Sequence, residues 1–154
     1  MKTIIFIALI FVFFSISNSF SQSLKEQLLG NWKLHHDEGM EMFLNSSFIL
    51  QQPREEYNKT MEWTKQVFDN SYMNFYSLDS MTSTVMDRKE IIQDKSSWEF
   101  QESDSVITYK IRFTPFIQQS KVLKITSDEL VLIYIDRKSK AETFKSTYRK
   151  VGNN

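Results

Sequence analysis

The chain of 154 residues contains no cysteine. That excludes disulfides, thiolate metal sites, thiol nucleophiles and lipid attachment through an N-terminal cysteine. Stability must come from packing alone. Histidine is scarce too, and His35 and His36 are the only two. With Asp37 and Glu38 they form the one cluster that resembles metal ligands, but neighbouring residues on a strand point to opposite faces, so His35 and His36 do not readily share one ion and the cluster reads as a solvated strand end. Most nucleophile–base constellations therefore lack parts, and no serine sits in a Gly-x-Ser-x-Gly elbow. Three glycines and two prolines leave Asp, Asn and Ser to supply the turns. There is no excess of either charge: basic and acidic residues number 19 each. The two signs are interspersed, which excludes an electrostatic nucleic-acid binder.

One long apolar run exists, from Ile4 to Phe14, behind Lys2. A polar stretch and the small-x-small tripeptide Ser19-Phe20-Ser21 follow, which together read as an export signal cleaved before Gln22. The alternative is a membrane anchor, but the run is shorter than the roughly 20 residues that span a bilayer. No second segment is long enough. The expected organisation is a signal peptide over 1–21 and one domain over 22–154, in the periplasm or outside the cell. A domain of that length suits a single core. No membrane span is expected after cleavage.

Ser23-Leu24-Lys25-Glu26 reads as a capping box, with Leu24 and Leu28 on one helical face and Gly30 ending the helix. A strand follows at 31–36. Period-2 alternation then stops. Pro53 followed by Arg54-Glu55-Glu56 reads as a first helical turn, with Pro at N1, and the spacing predicts a helix over 54–69. Residues 40–50 read as a weaker helix, with a strand as the rival. From 72 to the end the chain reads as strands: 72–78, 82–87, 97–101, 105–113, 120–126, 130–136 and 143–151. Turns at 102–104, 127–128 and 137–139 separate several of them. Eight sequential strands suit an up-and-down antiparallel β-barrel, with an open sandwich as the alternative. Leu130 to Ile135 is apolar on both faces, so its outer face needs cover, for which Met61, Trp63 and Phe68 on the helix are the natural residues.

Gly30-x-Trp32 at the first strand, the strand count and Tyr148-Arg149-Lys150 near the last strand's end resemble the lipocalin-like group of the calycin superfamily. The chain is most similar in outline to small lipocalin-like proteins exported by Bacteroidetes. The resemblance implies that Trp32 plugs one barrel end under a basic residue from the last strand. Arg149 is matched to that role, with Lys150 as the second choice. Such a cation gains from the indole face. A second, Thr-Asp-Tyr-type motif is not visible. The helical insert between strands one and two is more like the lid of fatty-acid-binding proteins. Their Arg-x-Tyr carboxylate clamp is absent, since the order here is Tyr148-Arg149.

The inward faces are rich in aromatic residues. Trp98, Phe100, Ile107, Tyr109, Ile111, Phe113, Tyr134, Phe144 and Tyr148 either line a cavity for a small hydrophobic ligand or fill the barrel. The leading expectation is an exported, non-catalytic barrel that binds such a ligand, with no cofactor and no metal. The alternative is a protein-interaction module on a packed scaffold, for a partner the sequence does not name. An enzyme would need polar groups converging in the cavity with perturbed pKa values.

Overall fold

The computed structural model describes residues 23–87, 90–110 and 117–152, so the export signal, Ile111 and Phe113 lie outside the described residues. Eight antiparallel strands follow in chain order: β1 (Gly30–Asp37), β2 (Tyr72–Phe75), β3 (Ser80–Asp87), β4 (Glu90–Gln101), β5 (Val106–Lys110), β6 (Ile117–Ile125), β7 (Glu129–Ile135) and β8 (Glu142–Val151). β1 pairs with both β2 and β8, which closes the sheet and removes its edges. This is the barrel expected, and not the sandwich.

Helix α1 (Leu24–Gln27) precedes β1, and its Ser23/Glu26 capping box is formed. Three helices fill the β1–β2 connection: α2 (Glu38–Leu44), α3 (Ser47–Leu50) and α4 (Arg54–Asn70). The single weak helix expected over 40–50 is thus two short ones. Each has its own cap, because the Asp37 and Ser46 side chains accept from the Met40 and Ile49 amides. Pro53 is the N-cap of α4 and not its first residue. Glu55 and Glu56 lie in the first turn, and Lys59 Nζ is 2.9 Å from each of their carboxylates.

Side chains alternate across each strand, so register and burial identify the inward rows. One end of the barrel is closed by large apolar groups. Leu28, Trp32, Phe75, Trp98, Leu130 and Leu132 are all buried there. The Trp32 indole N–H donates to the Leu28 carbonyl at 2.8 Å, which ties α1 across the barrel end. Phe75 meets Trp98 edge-on at 4.8 Å between centroids. Lys150 Nζ lies 4.9 Å from the Trp32 ring centroid, and Lys25 Nζ 5.3 Å from that of Trp98.

The cation over Trp32 is therefore Lys150 and not Arg149. Register explains the exchange. Lys150 pairs with Trp32 on the inward row, while Arg149 pairs with the outward Lys33 and Glu129. The Arg149 guanidinium instead lies 3.1 Å from Glu129 and 3.5 Å from Asp128 on the outside. Gly30 has φ +127°, and a Cβ there would sit 2.6 Å from Lys150 Cε. The positive φ favours glycine, and a Cβ would also displace the end of the lysine side chain that lies over Trp32.

The outer face of β7 is covered differently from the expectation. α4 packs on β1 and β3, and α2 on β8. Ile133 on β7 stands in register between Lys121 and Lys145. Their ammonium groups lie 2.8 Å from Glu142 and 3.7 Å from Glu38, and Ile133 between them is 6% exposed.

Candidate functional site

The open end of the barrel is built from the ends of β1, β3, β5 and β7 and the starts of β4, β6 and β8, beside the helical insert that packs on β1, β3 and β8. Its inward rows are polar. β3 contributes Ser83, opposite Asp94 of β4, and Ser96 follows on the same row of β4. Tyr109 of β5 stands opposite Gln118 of β6, and Ser120 stands between Ile107 and Tyr134. β8 contributes Phe144 and Ser146.

Asp37 reaches this wall through a bulge. The register of β1 against β8 shifts between Leu34 and His36, so Asp37 comes opposite Ser146 on the inward side. Its carboxylate then does two things. Oδ1 accepts the Met40 amide at 2.8 Å, which starts α2, and Oδ2 accepts the Ser146 hydroxyl. The same bulge leaves His35 and His36 exposed. His36 Nε2 lies 3.5 Å from Glu41, and among the described residues no three His, Asp or Glu side chains gather as a metal site.

Three tyrosines meet inside. The Tyr134 and Tyr148 hydroxyls are 3.1 Å apart. Burial pushes all three phenols above the ordinary tyrosine range. For Tyr109 the field of Tyr134 adds to burial and the Ser120 hydroxyl opposes it. For Tyr134 the hydroxyls of Tyr148 and Ser146 oppose the effect of burial, and Asp37 reinforces it. For Tyr148 burial is reinforced by Tyr134, Tyr109 and Asp37. These phenols stay neutral, each able to donate one proton and to accept. Ser120 is 0% exposed, and its hydroxyl is the neighbour that opposes the rise of the Tyr109 phenol.

A cleft of about 700 Å³ opens at the rim, lined by Gln118, Tyr134, Ile135, Thr143, Phe144 and the β7–β8 turn from Asp136 to Lys138. A second groove of about 370 Å³ lies against the helical insert, between His36, Met40, Leu44, Leu50, Tyr57 and Phe68. The Phe144 ring bounds the rim and packs on α2, where a Cβ on Gly39 would approach it to 3.2 Å.

The sequence-predicted lining residues divide between the two ends. Trp98, Phe100 and Ile107 belong to the packed interior. Tyr148 is 5% exposed and sits at the boundary, with its ring in the core and its hydroxyl on Tyr134. Tyr109 and Tyr134 line the polar half, and Phe144 the rim. Sequence reasoning missed the serines, Gln118, Asp94 and Asp37. The serines were legible as members of rows already identified as inward, since Ser96 shares a row with Trp98 and Phe100, and Ser146 with Tyr148. Asp37 was not, because its position depends on the bulge.

Compared with known proteins, the chain matches no family model and no curated protein. Among the described residues no helix is long and apolar enough to cross a membrane.

Proposed function

We propose that this is an exported, non-catalytic barrel of the calycin superfamily that binds a small hydrophobic ligand at its open rim. The observation that carries the reading is the cleft of about 700 Å³ beside Tyr134, Ile135 and Phe144. It has an apolar wall, it opens to solvent, and it is bounded by Tyr134, whose hydroxyl meets that of Tyr148. Support for export comes from Lys2, the apolar run to Phe14 and Ser19-Phe20-Ser21. Support for the superfamily comes from Gly30-x-Trp32, the lysine over Trp32 and the closed eight-strand sheet. A non-catalytic role is favoured because the polar half holds neutral phenols and serines, and the Asp37 carboxylate among them is engaged by the Met40 amide and the Ser146 hydroxyl.

Native mass spectrometry of the purified protein, equilibrated with a lipid extract and then desalted, tests the reading. A bound species of defined mass, displaced when Phe144 is replaced by Asp, is the expected result. Protein that stays empty at every lipid concentration overturns it.

A second reading, a protein-interaction module on a filled scaffold, is favoured by the helical insert. Met42, Phe48 and Leu50 project from α2 and α3, with Phe48 70% exposed.

A further inference from the structure

The helical insert combines exposed apolar side chains with an excess of acid, and the pair of features narrows what it docks. This step rests on the second reading, in which the insert meets a protein partner. The groove of about 370 Å³ has an apolar wall made of Met40, Leu44, Leu50, Tyr57, Met61 and Phe68. Leu50 is 60% and Met61 39% exposed, so the wall is open from outside. The helices that form it are fixed to the barrel. α2 is tied to β8 by the Ser146 hydroxyl on Asp37 and by the Lys145 amide, which donates to Glu38 at 3.0 Å. α4 is tied to β1 by Lys33, 3.4 Å from Asp69, and it buries Thr64 with its hydroxyl 3.9 Å from the Met40 sulfur. A groove already held in shape spares its partner the entropy of ordering it.

Charge selects the occupant. From Glu38 to Asn70 the chain has six acidic and three basic residues, a net −3 in a chain whose total is zero. Two of those three cations are engaged within α4: Lys59 is 2.9 Å from both Glu55 and Glu56, and Lys65 is 2.8 Å from Asp69. The groove is lined by Asp37 and Glu41 beside His36, and by no lysine or arginine of the described residues. Such a face repels an anionic lipid surface. A second copy docking through the same face would set these acids against one another. A basic segment with apolar anchors is instead attracted by the rim and seated by the wall. Met40 and Met61 give that wall a polarisable surface that adapts to the anchor it receives.

We propose that the groove between α2, α3 and α4 docks a basic amphipathic segment of a protein partner. Its apolar side chains enter between Leu50, Met61 and Phe68, and its cations lie beside Glu41.

Fluorescence anisotropy of three labelled peptides of about 14 residues tests this. One has leucines at helical spacing and lysines elsewhere, the second has glutamates for its lysines, and the third has serines for its leucines. The expected result is that the Leu/Lys peptide binds the purified protein at least tenfold more tightly than either other peptide. Leu50→Ser combined with Met61→Ser should weaken it at least fivefold, and Glu41→Gln less, in protein shown to be folded by circular dichroism. Should the double variant fail to fold, Leu50→Ser alone carries the test. Equal binding of the Ser/Lys or the Leu/Glu peptide overturns the inference, as does Leu/Lys binding that is indifferent to these variants. A dimer in sedimentation velocity that Leu50→Ser dissociates assigns the groove to a second copy, which overturns the inference and leaves the interaction reading standing. Binding to phosphatidylglycerol vesicles that Leu50→Ser removes overturns both, as does a monomer that binds none of the peptides.

Discussion

The two halves of this barrel use the same sheet and the same inward rows, yet they are held by different forces. At the closed end Trp32, Phe75, Trp98, Leu130 and Leu132 exclude water, and burial of each such side chain contributes about 1.5–3 kcal/mol. Both of its indoles are paired: Trp32 and Trp98 donate to the Leu28 and Ser77 carbonyls. At the open end the row-mates of those residues are serines, tyrosines and aspartates. The hydrogen bonds that join them net about 0.5–1.5 kcal/mol each. The difference teaches where the fold has room to serve a function. Closure of the sheet and the Trp32 plug stabilise the barrel, and the open half is free to carry polar groups that a packed core would not tolerate.

The largest effect should come from removing the plug. Trp32→Ala is expected to cost about 3–5 kcal/mol, as large core truncations do, measured by urea unfolding. Ligand binding at the rim should then be lost only along with the fold. A Trp32→Ala protein that is fully stable but no longer binds would place Trp32 in the site and erase the distinction between the halves.

The next effect is confined to the open half and appears at high pH. Tyr109, Tyr134 and Tyr148 have folded-state pKa values raised by burial. The unfolded chain ionises its tyrosines near pH 10, whereas the folded chain keeps these three protonated. Above that pH the native state therefore binds more protons, and stability falls as pH rises, by about 1.4 kcal/mol per pH unit for each phenol. Below pH 10 these groups contribute no pH dependence. Denaturant unfolding between pH 9 and pH 12 should show this slope, and it should be shallower in Tyr109→Phe. A slope unchanged by that substitution would mean that Tyr109 is solvated, which would break the contrast with the closed end.

Much of the closed half was legible in the chain, and the open half less so. The reason is physical. Gly30-x-Trp32 and the alternating rows at Ile107-Tyr109 and Leu130-Leu132 announce a strand with one apolar face. The start of β4, from Glu90 to Ser96, shows no such alternation because its inward row mixes Ile92 with Asp94 and Ser96 while Ile91 faces out, and only 97–101 read as a strand. The absence of the expected pattern was thus the mark of the polar interior. Three register shifts, at His35, Leu123 and Tyr134, change which residues face inward, and nothing in local composition signals them. The exchange of Lys150 for Arg149 over Trp32 has the same root: two adjacent basic residues fit the resemblance equally well, and only the register of β8 against β1 separates them.

The smallest expected effect sharpens the comparison within the open half itself. Ser146 and Ser120 are both 0% exposed serines on inward rows. Ser146 donates to Asp37, whose other oxygen caps α2. Removing that hydroxyl leaves a half-buried carboxylate short of a donor, so Ser146→Ala should cost on the order of 1–3 kcal/mol. It should also raise hydrogen exchange of the Met40 amide. Ser120 instead neighbours the Tyr109 hydroxyl, a neutral partner. Deleting its hydroxyl leaves no carboxylate short of a donor, so Ser120→Ala should cost less, about 0.5–1.5 kcal/mol. It should leave hydrogen exchange of the Met40 amide unchanged. Equal costs and equal exchange at the two positions would show that the Asp37 carboxylate gains nothing from Ser146, and the cap of α2 would then be independent of the barrel wall.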